Sequence, residues 1–166
     1  PWLIVGVLGG TAAASVVTSF EELLSKFLVL AAFIPVLVYM SDAVGTQSEA
    51  LIIRSVALDP ELPLSSYIIR EFKVAAMLAV VCGFLISIVA VVGWGEYFLG
   101  AVVGLSMLVS IIAAVCISTF LPLVFRRFNY DPAVATGPLA TIISDITTLG
   151  IYFSVAILLL DFLNLI

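Results

Sequence analysis

Asp145 stands inside PLATIISDITTLG, which runs from Pro138 to Gly150 and continues into the apolar stretch Ile151–Leu160. If this segment is a helix, Thr141 and Thr148 lie at i−4 and i+3 from the carboxylate. They share its face, and Ser144 lies beside it. A narrow polar stripe then crosses an otherwise apolar rod. An ionisable group at bilayer depth costs several kcal/mol, so it normally faces a bundle interior or a water-filled path. The structural alternative is a protonated Asp145 that hydrogen-bonds two helices together.

A second group of oxygens lies in SDAVGTQSE, Ser41 to Glu49. It contributes the carboxylates Asp42 and Glu49 and the side-chain oxygens of Thr46, Gln47 and Ser48. Combined with Asp145, Thr141 and Thr148, this is an all-oxygen set without imidazole or thiolate. Such a set suits a hard cation such as Mg²⁺, Ca²⁺ or Mn²⁺. Two of the acids have simpler readings: Asp42 as the cap of a restarting half-helix, and Glu49 as a solvated group at a channel mouth.

The elements that position these residues follow from composition. Of 166 residues, 64% are hydrophobic and 10% charged, with a mean hydropathy of +1.35. A soluble domain of this size has no core large enough to hide so much apolar side chain. Long unbroken apolar runs, without strand-like alternation, predict an all-α integral membrane protein in one transmembrane domain, 1–166. Five spans are expected at about 1–20, 27–58, 68–92, 98–125 and 138–160. The second would measure about 48 Å as one helix, well over a ~30 Å hydrocarbon core. The polar insert at Ser41–Glu49 is therefore where a break is expected. Small residues suggest close helix packing at Gly6 and Gly10 in the first span and at Gly100 and Gly104 in the fourth.

Arg54, Arg70, Lys73, Arg126 and Arg127 fall at the ends that follow spans two and four, and Lys26 alone at the opposite ends. The positive-inside rule places the N-terminus in the cytoplasm and the C-terminus outside. Cys82 and Cys116 sit singly in apolar runs and read as small buried residues rather than as a disulfide or metal pair. No P-loop motif is present. An intramembrane aspartyl protease needs two facing aspartates, and Asp131 lies in a loop. The chain opens on Pro1 rather than Met, as an excerpt of a longer protein or a processed product would.

Two stretches resemble the MgtE family of magnesium channels and transporters. FIPVLVYM (Phe33–Met40), VGTQS (Val44–Ser48) and IIR (Ile52–Arg54) are similar to that family's second helix and its glycine-rich break. Leu121-Pro-Leu, the pair Arg126-Arg127, Asp131-Pro-Ala-Val, Gly137-Pro138 and TIISD (Thr141–Asp145) are similar to its fourth and fifth helices. The resemblance implies five helices per subunit, a homodimer, and a pore that carries hydrated Mg²⁺. Asp145 would touch the water shell of the ion, and the Thr141 carbonyl would face the pore. It also implies cytosolic ion-sensing domains ahead of this region. Ser41-Asp42-Ala43 replaces the family's usual Gly-Gly-Asn, and Glu49 stands where a small neutral residue is usual. Both changes add negative charge beside the path.

The expected function is thus a non-enzymatic divalent-cation channel or transporter of the cell membrane. Its metal residues would be Asp145, Thr141, Asp42, Thr46 and Glu49. Its ion would be Mg²⁺, with Mn²⁺, Co²⁺ or Ca²⁺ as other candidates. The expected partners are a second copy of the chain, membrane lipid and the cation, and no nucleic acid. The rival readings are a sodium- or proton-coupled exchanger and a non-transporting scaffold.

Overall fold

The computed structural model describes residues 2–59 and 61–164, apart from the side chains of residues 2 and 132–135. These residues are helical throughout and contain no strand. α1 (Trp2–Ser19) leads through a short polar helix, α2 (Glu21–Lys26), into a 3-10 segment, Leu28–Phe33. Four long helices follow: α3 (Ile34–Leu58), α4 (Leu64–Trp94), α5 (Tyr97–Arg127) and α6 (Pro132–Phe162).

Local chemistry sets the ends. Pro35 sits in the first turn of α3, where its missing N–H would have had no helical partner. α4 stops at Gly95, whose φ of 74° is the left-handed conformation that glycine adopts without strain. α5 stops at Asn129 (φ 59°), where two further bonds close the end. The amide of Tyr130 donates to the Phe125 carbonyl at 3.1 Å, and that of Asn129 to the Arg126 carbonyl at 3.0 Å. The pattern is a Schellman cap with asparagine in the usual glycine position.

α5 is the central pillar, packed against α3, α4 and α6. Val102, Val103, Met107, Ile111 and Val115 on it are buried, as are Tyr152 and Phe153 of α6. Lipid tails are as apolar as leucine, so what holds such a bundle is close contact and the occasional interhelical hydrogen bond. α4 and α5 touch backbone to backbone at glycines. A Cβ on Gly83 would lie 2.7 Å from the Gly104 carbonyl oxygen, and one on Gly104 would lie 2.9 Å from that of Gly83. α4 turns a band of exposed apolar side chains outward, Phe84, Leu85 and Ile88 among them. Such a band on an unpaired helix face is what a lipid environment accommodates.

Among the described residues four helical stretches are long and apolar enough to cross a membrane: Leu28–Leu58, Leu64–Trp94, Tyr97–Arg127 and Thr136–Phe162. The apolar part of α1, Leu3–Ser19, is shorter. It lies along α6, where Ile142 fills the space beside Gly9 and Phe20 stacks on Phe153 at 4.4 Å. Gly6 and Gly10 have no neighbour that a Cβ would meet within 4 Å, so the close packing expected of them falls on Gly9 instead.

The expected break in the second span is corrected. Ser41–Glu49 is uninterrupted helix within α3, and the irregular backbone lies earlier, in the 3-10 segment ahead of Pro35. Two facts account for the continuity. The insert contains no proline, and three of its polar side chains, Asp42, Ser48 and Glu49, find partners on neighbouring helices, so the backbone need not open. The 3-10 segment is held instead by Tyr152, whose hydroxyl donates to the Leu30 carbonyl at 2.9 Å. Excess length is the kind of mismatch that tilt absorbs.

Candidate functional site along the α3–α6 seam

α3 and α6 run antiparallel, and their polar residues meet in two rungs. In the first, the Thr141 hydroxyl donates to Asp42 Oδ1 at 3.0 Å, and the Asp145 carboxylate is near enough to Asp42 for the two charges to repel. In the second, the buried Thr136 hydroxyl donates to Glu49 Oε1 at 2.5 Å. Seven residues separate Asp42 from Glu49, so the rungs are about 10 Å apart along α3.

Helical geometry puts Asp42, Thr46 and Glu49 on one face of α3. Thr46 is exposed between the rungs, Asp42 is half-buried, and Glu49 is buried. The rest of the insert turns elsewhere. The Ser48 hydroxyl donates to Glu71 Oε1 of α4 at 2.6 Å, and Gln47 is exposed beside it. The stripe expected on α6 divides in the same way. Thr141 and Asp145 are half-buried along the seam, whereas Ser144 and Thr148 are buried inside the chain.

Sequence reasoning missed two partners. Thr136 lies before Pro138, where a helix start was expected, yet α6 begins at Pro132 and carries Thr136 to Glu49. Glu71, near the start of α4, is the other, accepting from the Ser48 hydroxyl. Gly137 lies beside the Glu49 carboxylate, where a Cβ would make an ordinary contact with Oε1 at 4.0 Å.

This donor set can do limited chemistry. Among the described residues no three acidic, cysteine or histidine side chains converge closely enough to hold a metal ion directly. Two carboxylates flanked by threonine hydroxyls can instead accept hydrogen bonds from the water shell of a cation, and Mg²⁺ gives up that shell reluctantly. Asp131 sits in the α5–α6 turn, about 20 Å of helix from Asp145, so those two aspartates do not pair.

An apolar helix bundle with a carboxylate-bearing seam fits a membrane transport protein, and the sequence comparisons name the class. Residues 34–155 match MgtE, described as a divalent cation transporter. The chain belongs to the MgtE family. It is 35% identical over 158 residues to the magnesium transporter MgtE of Bacillus subtilis, covering 94% of this chain and 35% of that protein. Against the magnesium transporter MgtE of Thermus thermophilus it is 36% identical over 164 residues, 96% of this chain and 36% of the relative. The corresponding Enterococcus faecalis protein is 34% identical over 158 residues, 94% of this chain and 35% of that relative. The chain therefore spans about a third of the length of these relatives. The family is one of membrane transporters, not of enzymes.

Proposed function

We propose that this chain is the membrane part of a Mg²⁺ channel of the cell membrane, working as a homodimer with the α3–α6 seams of the two copies facing one pore. The observation that carries this reading is the pair Asp42 and Asp145 on a seam that one chain leaves half open. One Asp145 offsets only half the charge of a divalent ion. Two-fold symmetry is the simplest way to present two of them, and dimers are the commonest closed assembly. A ring of carboxylates and hydroxyls at water-shell distance selects the ion without stripping it. A divalent ion entering at −100 mV gains about 4.6 kcal/mol, from ~2.3 per charge, so a passive path is enough for accumulation.

α1 is the fifth span in this account. Its 18 residues rise about 27 Å, close to the ~30 Å hydrocarbon core. The connectivity gathers Arg54, Arg70, Lys73, Arg126 and Arg127 at one end of the bundle and leaves Lys26 at the other. That end is cytoplasmic by the positive-inside rule. Cysteines introduced at Ser66 and Asn129 should be labelled from the cytoplasm and one at Glu96 from outside. Labelling of the Glu96 and Asn129 positions from the same side ends the five-span topology.

The functional test is Mg²⁺ flux into proteoliposomes with voltage, sodium and pH gradients imposed separately. The channel reading expects flux under voltage alone. Flux that needs a sodium or proton gradient makes the protein an exchanger, and no flux makes it a scaffold.

A further inference from the structure

Away from the seam, α3, α4 and α5 enclose a side cavity of about 230 Å³ lined by Val44, Gln47, Leu51, Arg70, Val74 and Val115. Leu51 and Val74 are exposed, so the cavity opens on the outside of the chain. A second hollow of about 240 Å³, lined by Leu62, Pro63, Ser66 and Tyr67, adjoins it and shares Arg70. The Arg70 guanidinium rests on the Tyr67 ring, 5.8 Å from its centroid, and Arg54 also lies within electrostatic reach of that tyrosine. Lys73 is three residues from Arg70 and shares its face of α4. All three cations are exposed, and the Lys26–Glu22 ion pair lies at the other end of the bundle. The carboxylate in the cavity, Glu71, is turned to α3 by the Ser48 hydroxyl.

Arg70 at the mouth of a groove open to the outside of the chain, with Arg54 and Lys73 one turn from its lining residues Leu51 and Arg70 and no carboxylate at ion-pair distance among the described residues, matches an anionic phospholipid in charge and shape. We propose that Arg54, Arg70 and Lys73 bind the phosphate of one anionic phospholipid, with an acyl chain lying in the groove over Leu51 and Val74. The site is separate from the ion path and would hold the α3–α4 corner whatever the ion carried.

The test uses the full chain in detergent, given equal amounts of phosphatidylglycerol and phosphatidylcholine with the same acyl chains. Retained lipid is read by native mass spectrometry. Phosphatidylglycerol should be retained over phosphatidylcholine. Changing Arg54→Gln, Arg70→Gln and Lys73→Gln together should lower its occupancy on the order of a hundredfold, from roughly fivefold per cation. Arg126→Gln with Arg127→Gln should leave it unchanged. Val74→Trp, which fills the groove and keeps every charge, should also expel the lipid. If the triple variant does not fold, Arg70→Gln and Val74→Trp decide the matter. Equal retention of the two lipids, or retention unaffected by Arg70→Gln, overturns the proposal. So does full displacement of phosphatidylglycerol by glycerol 3-phosphate at the same concentration, which would leave an anion site without a lipid.

Discussion

The α4–α5 crossing and the α3–α6 seam are both helix contacts inside one bundle, yet opposite chemistry holds them. At the first, Gly83 and Gly104 bring two backbones together, with no side chain between them at the glycines. At the second, Asp42 and Glu49 on α3 meet hydroxyls on α6, and a third carboxylate stands within reach. Glycine contacts gain dispersion energy and give a rigid frame. Carboxylates at that depth cost free energy, so a bundle that needed only cohesion would do better with more glycine or alanine. The difference separates a contact that serves cohesion from one whose cost the proposed ion path would explain.

The comparison can be broken at either region. The largest effect is expected at the frame: Gly83→Val forces a branched side chain against the Gly104 carbonyl and should cost about 3 kcal/mol or more. Thermal unfolding in detergent should show the loss, and flux should fall only with the amount of folded protein. At the seam, Thr141→Val deletes the donor to Asp42, a membrane hydrogen bond worth about 0.6–2 kcal/mol. Here Mg²⁺ flux should fall several-fold while the yield of folded protein stays close to normal. Flux that merely tracked yield would make the seam part of the frame.

Asp42→Ala and Glu49→Ala lower the negative potential beside the proposed path, and Asp42→Ala also removes the acceptor of the Thr141 bond. Flux should drop at low ionic strength and recover toward the parent as salt shortens the screening length to about 8 Å near 0.15 M. Unchanged flux at low salt would leave these acids as ordinary interhelical acceptors. The smallest effect is expected at Tyr152→Phe, which removes the bond to Leu30 and should cost about 0.5–1.5 kcal/mol of stability. Stability should fall with no change in flux per folded molecule.

The helices were legible in the sequence because long apolar runs permit only helices in a bilayer, and Gly104 of the frame was read as a packing residue while its partner Gly83 was not. Asp145, Asp42 and Thr141 were legible because oxygens stand out in apolar runs, and the structure brings them together at one rung. Partner choice was not legible. Which hydroxyl Glu49 meets depends on the register of α6 against α3, and Thr136 was hidden on the far side of Pro138. The predicted break failed because sequence shows that a segment is polar and too long, but not that neighbours satisfy it. Thr46 keeps the expected face without a hydrogen bond to another helix, so its role rests on the facing subunit in the proposed dimer.

The most direct measurement of the central claim is Mg²⁺ uptake by Asp145→Asn in liposomes, beside Asp145→Ala and Asp145→Glu at equal dimer content. Asparagine keeps the size and one acceptor oxygen but removes the charge. If the carboxylate holds the water shell of the ion, uptake by Asp145→Asn falls nearly as far as in Asp145→Ala, while Asp145→Glu retains part of it with altered ion preference. If Asp145 only joins helices, asparagine replaces it well. Near-normal uptake by Asp145→Asn alongside a misassembled Asp145→Ala would contradict the account.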